Sequence, residues 1–245
     1  MILSSKKIMV IGASRGIGEA IALACAAEGA DLVLTGRNAD TLTAVCDKLK
    51  EYPVKTSTLV WDVSDVAKAP DMMAAAAAAM GGLDVVIHNA GVVDHEKFLA
   101  VTEEGWDRVF DINVKGAFFS IQAAANYFLD NNDREVKGKI VVISSETGHQ
   151  PHPTPYGMSK WSVMGMCQGM AKKLFKLGVV ISNIAPGPVT TEMMNWSEGK
   201  SDAWPSAFGR MAYPNEIADL AVFLASDKSN RIAGQPIYIN GGLNC

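Results

Sequence analysis

Short aliphatic, often β-branched runs recur along the chain and alternate with longer stretches whose apolar positions return every three or four residues. The short runs fall at 8–11, 31–35, 56–61, 85–88, 139–144, 179–184 and 236–239. Continuous apolar runs of this length read as strands covered on both faces. The longer stretches, at 17–29, 39–50, 65–80, 102–130, 155–177 and 214–225, carry helical spacing. This alternation predicts an α/β fold, a doubly wound, mostly parallel seven-stranded sheet with helices on both faces. In such a sheet the ligand crevice lies outside the carboxyl ends of the strands. No stretch reads as a linker, so residues 1–245 are read as a single domain. The alanine run 74–79, set between Asp71 and Gly81-Gly82, reads as a helix with its start and stop signals.

Composition narrows the classes. With 49% hydrophobic residues, 20% charged residues and a formal charge of -4, the chain reads as an ordinary globular protein with no basic footprint for nucleic acid or an anionic membrane. No apolar stretch is long enough to span a bilayer, and the run at 8–11 is too short for a signal peptide. Cys25, Cys46, Cys167 and Cys245 are far apart and form no ligand cluster with the histidines. No metal site is expected, and the cysteines read as reduced thiols of a cytoplasmic protein.

Every motif with chemical content follows a strand. After the first comes Gly12-Ala13-Ser14-Arg15-Gly16-Ile17-Gly18, opening a helix. Glycines there permit a tight turn and let backbone N–H groups approach a pyrophosphate, which the helix dipole also attracts. The second strand ends on Gly36-Arg37-Asn38, where an NAD-selective site is expected to carry a carboxylate for the ribose 2′-hydroxyl. Arg37, helped by Arg15, instead suits a 2′-phosphate, because a guanidinium fork matches phosphate geometry. NADP(H) is therefore favoured over NAD(H), with Asp40 as the rival group for the ribose. Asp62 and Val63 follow the third strand, where they can meet an adenine edge, although Asp62 equally suits a cap. Asn89-Ala90-Gly91 follows the fourth, with small residues that let the chain pass close to a cofactor.

Tyr156 and Lys160 stand four apart at the start of a helix, which puts them on one face about one turn apart. A phenol titrates near pH ~10, and a fixed ammonium beside it favours the phenolate, so Tyr156 can exchange a proton with a carbonyl or alcohol oxygen. Ser145, just after a strand, can hydrogen-bond that oxygen as charge develops. Asn113, a polar residue inside an apolar helical stretch, needs a buried partner or a water.

Taken in order, the glycine loop, Asn89-Ala90-Gly91, Asn113, Ser145, Tyr156-x-x-x-Lys160 and Pro186-Gly187 resemble the short-chain dehydrogenase/reductases in their compact single-domain form. The resemblance runs nearly end to end, to Ile239-Asn240-Gly241-Gly242. It implies a Rossmann-type NADP(H)-dependent oxidoreductase that interconverts a ketone or aldehyde with an alcohol. The implied roles are Tyr156 as acid and base, Lys160 lowering its pKa and holding the nicotinamide ribose, and Ser145 polarising the carbonyl. Asn113 would support a relay water. The residues after Pro186-Gly187, with the Val189 backbone and Thr191, would meet the carboxamide. A homotetramer built through the helices at 102–130 and 155–177 is also implied.

Two positions depart from the family pattern: Ile11, usually threonine, and His88, usually asparagine. Both read as structural and as packing on one another, with a protonated His88 near the cofactor as the alternative. The interval from Ser145 to Tyr156 is about two residues short and holds Pro151, Pro153 and Pro155, which stiffen it and leave Ser144 as a rival to Ser145. The segment at about 190–213, with Met193, Met194, Trp196, Trp204, Phe208 and Met211, reads as a lid for an apolar or medium-sized carbonyl substrate. Within the family, the glycine loop and Arg37 look similar to those of 3-oxoacyl-carrier-protein reductases. Arg134, Lys137, Lys172, Lys173 and Lys176 are available to an acidic carrier, or are solvated helix faces. The rival class is a catalytically silent NADP(H)-binding redox sensor or interaction protein, which has no use for the Tyr–Lys pair.

Overall fold

A computed structural model describes residues 1–243, so Cys245 lies outside the described residues. Seven strands are present: β1 (Lys7–Ile11), β2 (Asp31–Gly36), β3 (Thr56–Val60), β4 (Val85–His88), β5 (Gly138–Ile143), β6 (Val179–Pro186) and β7 (Pro236–Ile239). The helices are α1 (Gly16–Ala27), α2 (Ala39–Leu49), α3 (Ala69–Met80), α4 (Glu103–Phe110), α5 (Ala117–Asn131), α6 (Pro155–Lys176) and α7 (Pro214–Ala225). The sheet order is β3-β2-β1-β4-β5-β6-β7, and every pairing is parallel. The expected Rossmann-type doubly wound architecture is present, fully parallel among the described strands.

Strand periodicity sorts the core into two layers. Ile8, Val10, Leu32, Leu34, Val85 and Ile87 face α1, α2 and α7, while Met9, Ile11, Val33 and Val86 face α3, α5 and α6. Consecutive strand residues point to opposite faces, which is why these runs are apolar throughout. Burial of such side chains stabilises the fold by about 1.5–3 kcal/mol each.

The stretch 102–130 is not one helix. Between α4 and α5 lies a π-helical segment, Asp111–Gly116, centred on Asn113. Short π segments widen the backbone turn at functional positions. Gly116 lets it lie against Val63, since a Cβ there would stand 2.9 Å from the Val63 carbonyl oxygen.

Successive strands are added outward from β1 in one direction, to β2 and β3, and from β4 in the other, so the strand order reverses between β1 and β4. At that switch point the loops leaving β1 and β4 diverge, and a crevice opens at the carboxyl ends of the strands.

Candidate active site

The crevice holds a cavity of about 540 Å³, walled by the loops after β1 through β4 and by residues 190–198. Gly12, Ser14, Arg15, Gly16, Ile17, Arg37, Asp62, Val63, Asn89, Ala90, Gly91 and Thr191 line it, as the sequence leads one to expect. The glycine loop is shaped by its neighbours. Gly12 takes φ +83°, and a Cβ on it would lie 2.7 Å from the Ala90 nitrogen. A Cβ on Gly18 would lie 2.0 Å from the Gly12 carbonyl oxygen, so Gly18 serves helix packing and does not face the cavity. Asn89 Nδ2 donates to that same carbonyl at 2.8 Å, stitching the loops after β1 and β4 together.

Charge is distributed around this cradle in an instructive way. Arg37 is exposed and has no hydrogen-bond or ion-pair partner among the described residues. Arg15 pairs with Glu192, and both side chains are 70% exposed. Asp62 Oδ1 accepts from the Ser64 backbone at 3.0 Å and from its hydroxyl at 2.7 Å, closing a turn while still lining the cavity. Pro186, Gly187 and Val189, expected beside a carboxamide, do not line this cavity, and neither do Tyr156 and Lys160. Gly187 is packed on β7's exit, where a Cβ would meet Asn240 Cα at 2.8 Å, and Val189 is buried. The wall is made instead by Thr190, Thr191 and the residues after them. Sequence reasoning missed Thr35, Trp61, Glu192 and Glu198, which join it, as does Trp196 of the expected lid. For Glu192 no local motif signals the role, because its partner Arg15 lies 177 positions away.

Beyond Gly91 the reactive side chains converge. A Cβ on Gly91 would stand 3.3 Å from Asn113 Oδ1 and 3.5 Å from Lys160 Nζ. Asn113 is buried and fully engaged: Oδ1 accepts from the Val92 nitrogen at 2.8 Å, and Nδ2 donates to the Val92 oxygen at 2.9 Å and to Ser159 Oγ at 3.0 Å. Its amide thus clamps the chain after β4 to the π segment and α6, and the carboxamide has no donor to spare for a relay water.

Tyr156 enters α6 behind Thr154, whose hydroxyl caps Gly157 N, with Pro155 at the first turn. Lys160 follows one turn later, its Nζ donating to the Ile143 carbonyl at 3.3 Å and lying 5.7 Å from the Tyr156 ring centroid. Burial holds Lys160 down at about 8. Tyr156 is pushed up by burial, with the Ser145 hydroxyl acting the other way and the Glu146 charge raising it further. The sequence argument had the ammonium lowering the phenol; in the ligand-free protein desolvation wins instead.

The rivalry between the serines is resolved by their partners. Ser144 Oγ donates to Asn183 Oδ1 at 2.6 Å inside the sheet, whereas Ser145 stands beside Tyr156 and caps the turn at Thr147. The proline-bearing loop that follows is fixed by His152, which bonds Thr154 and fills the space where a side chain on Gly157 would stand, 2.3 Å from its Cβ position. Ile11 and His88 are register partners, as their paired departure suggested. The surroundings of His88 oppose its protonation: burial first and the Lys160 charge second push it down to about 3.

The segment 190–213 is anchored at its far end. Arg210 forms a two-pronged ion pair with Glu216 at 2.8 and 2.9 Å, and Glu216 also caps Tyr213 N. Met211 is buried and belongs to the core, whereas Met193, Met194 and Phe208 are exposed. Among the described residues no three His, Cys, Asp or Glu side chains gather in a metal-binding group, and no helix is long and apolar enough to cross a membrane.

A family model described as enoyl-(acyl carrier protein) reductase matches residues 12–244. A glucose 1-dehydrogenase from Gluconobacter oxydans is 35% identical over 254 aligned residues, covering 98% of this chain and 92% of its own. A 3-oxoacyl-[acyl-carrier-protein] reductase from Thermotoga maritima is 32% identical over 248, covering 99% of each. Among solved structures, a short-chain type dehydrogenase/reductase from Mycobacterium marinum superposes with a TM-score of 0.90 at 31% identity, over 99% of this chain and 97% of its own. A short-chain dehydrogenase from Burkholderia cenocepacia in complex with NADP does so with 0.91 at 28%, over the whole of both chains. Likeness of this extent, in sequence and in the course of the backbone, to dehydrogenases and reductases alike means that the chain belongs to the short-chain dehydrogenase/reductase family of oxidoreductases.

Proposed function

We propose that this protein is an NADP(H)-dependent oxidoreductase that interconverts a ketone or aldehyde with the corresponding alcohol. The observation that carries the reading is the convergence of Ser145, Tyr156 and Lys160 next to a cavity lined by the glycine loop and by Arg37, which is unpaired among the described residues. The cavity residues fit a dinucleotide, since the loop after β1 lies tight against Ala90 through Gly12 and the α1 N-terminus, which has no side-chain cap, lines the cavity with Gly16 and Ile17. Arg37 and Arg15 would hold a 2′-phosphate, with Asp62 and Val63 at the adenine and Asn89 to Gly91, Thr191 and Lys160 toward the nicotinamide end. NADP in the Burkholderia relative is consistent with this choice. Bound there, the nicotinamide would supply or accept the hydride.

The residues of the chain do the rest. Tyr156, with its pKa raised by burial, holds its proton at neutral pH and can donate it to a carbonyl oxygen. Ser145, a hydroxyl in the same desolvated corner, would stabilise charge developing on that oxygen. Lys160 keeps a positive charge near neutral pH and would favour the phenolate left behind. Asn113 holds the Val92 backbone and α6 in register, so that these groups stay aligned. Residues 190–213 would form the substrate lid, and the exposed Met193, Met194 and Phe208 suit an apolar or medium-sized carbonyl compound.

Exposed Trp106 on α4, Phe118 and Phe119 on α5 and Trp161 on α6 offer apolar faces for a homotetramer, and light scattering showing a stable monomer would count against that assembly. The unpaired thiols Cys25, Cys46 and Cys167 suit the reducing cytoplasm.

The deciding assay follows NADPH oxidation over β-ketoacyl thioesters, cyclic ketones, steroids and keto-sugars, with Tyr156→Phe run beside the wild type. Turnover that vanishes in the variant supports the reading and identifies the substrate. NADPH binding without turnover of any compound would favour a silent sensor.

A further inference from the structure

His88 is the last residue of β4, and its side chain is 2% exposed. Neither ring nitrogen has a hydrogen-bond partner among the described residues. Buried polar groups almost always find a protein or water partner, because desolvating them without one is unfavourable. Strand alternation puts His88 on the face of Val86, toward the layer that contains α5 and α6. Its register partner on β5 is Val142, and the next residue, Ile143, lends its carbonyl to Lys160 Nζ. The ring therefore lies one strand away from the point where the ammonium is tied down.

Lys160 needs more than it has. It is 7% exposed, and its one hydrogen bond among the described residues, to the Ile143 carbonyl, is long at 3.3 Å. Asn113, the other polar side chain beside Gly91, is committed to Val92 and Ser159. The imidazole stays neutral, since burial and the Lys160 charge both oppose its protonation, so it offers one acceptor and one donor. The charge of Glu146, beyond β5, bears on Tyr156 of α6, and Lys160 is the one charge that bears on His88; Arg15, Arg37, Asp62 and Glu192 line the cavity at the same end of the sheet.

We infer that His88 is a positioning residue for the proposed reaction: it accepts a hydrogen bond from an ordered water that in turn accepts one from Lys160 Nζ, fixing the ammonium beside Gly91. This rests on the role proposed for Lys160. A buried water of this kind needs two or more polar partners, and His88 and Lys160 are two.

The first test uses the ligand-free protein. Side-chain NMR of labelled lysines, with Lys160 assigned by its loss in Lys160→Met, gives its titration in wild type, His88→Leu and His88→Asn. Removing the acceptor in His88→Leu lowers the Lys160 midpoint by about one unit, and His88→Asn, which restores an acceptor, returns it toward wild type. In turnover, the alkaline limb of the kcat profile moves down with it in His88→Leu, giving roughly tenfold slower turnover above the limb, with KM for the carbonyl unchanged. A high-resolution crystal structure of the wild type should place a water within bonding distance of a ring nitrogen and Nζ, which covers the case in which His88→Leu fails to fold. A dry contact in that structure, or a Lys160 midpoint that His88→Leu leaves unmoved, overturns the inference. If the wild type turns over no carbonyl, the proposed function fails while the titration and the water still judge His88; turnover with an unmoved midpoint sinks the His88 link alone.

Discussion

Two buried lysines stand at opposite ends of the sheet and meet the same desolvation. Lys139, at the amino end of β5, and Lys160, beyond its carboxyl end, are both held down at about 8 by burial. Their surroundings differ. The Lys139 ammonium donates to the Ser226 carbonyl and, at 2.6 Å, to Ser229 Oγ, with Lys6 and Asp227 paired nearby at 2.8 Å. Arg134 and Asp84 close the same end, and Asp84 also accepts from Lys7 N at 2.9 Å. At the other end, among the described residues, Lys160 has one long bond, and the Thr35 hydroxyl and His88 ring lack partners. Arg37 is unpaired, and Arg15 is held only by an exposed carboxylate. The Lys139 ammonium meets two close acceptors and the Lys160 ammonium one distant one, and the second setting is the one in which a perturbed lysine is a candidate for chemistry.

The sharpest way to break that contrast is at the open end. Tyr156→Phe is expected to lower kcat by about 10²–10⁴-fold while the NADPH dissociation constant stays near that of the wild type, measured by stopped-flow turnover and fluorescence titration. Arg37→Glu should weaken NADPH by about 10–100-fold, the loss of a charge-assisted bond, and leave NADH within about twofold. Equal loss for both cofactors would place the 2′-phosphate elsewhere. Glu192→Gln removes the competitor for Arg15, and because that ion pair is exposed the gain in NADPH affinity by calorimetry should be at most about fivefold.

At the closed end the effect on turnover should be smallest. Lys139→Met is expected to keep kcat/KM within about twofold and to flatten the pH dependence of thermal stability. The sign follows from the direction of the shift. Folding lowers the Lys139 pKa from 10.5 to about 8, so the unfolded chain binds the proton more tightly. Stability is penalised in full below about pH 8 and recovers as pH rises toward 10.5. Melting curves of wild type and variant across that window should converge in slope only if Lys139 is not the source.

Much of this arrangement was legible in the residues. The strands announced themselves because both faces are buried, and their predicted ends agree with the observed ones to within two residues. The glycine loop and the Tyr–Lys pair are local in sequence, so their spacing carries their geometry. The break in the 102–130 helix was not visible, since one widened turn leaves the apolar rhythm nearly intact; a polar Asn113 amid apolar neighbours was its only mark. The Arg15–Glu192 pair and the closed environment of Lys139 depend on contacts between distant segments, which no local pattern encodes. Lys139 even sat unnoticed within a run read as apolar. Which residues after β6 line the cavity is likewise not a local matter, since it depends on neighbouring turns, here the packing of Gly187 on Asn240.

The stitch from Asn89 to Gly12 joins positions 77 apart, and β1 finds its β4 neighbour only when that distance has been synthesised. During translation β1 and β2 can pair early, but the second edge of β1 must wait with its backbone groups exposed until residue 88 has emerged. Because the sheet is parallel throughout, no hairpin can cover it in the meantime. The half of the chain that would cradle the cofactor is therefore the part most dependent on a chaperone or on slow, orderly elongation, and substitutions that weaken β4 should show first as lost soluble yield.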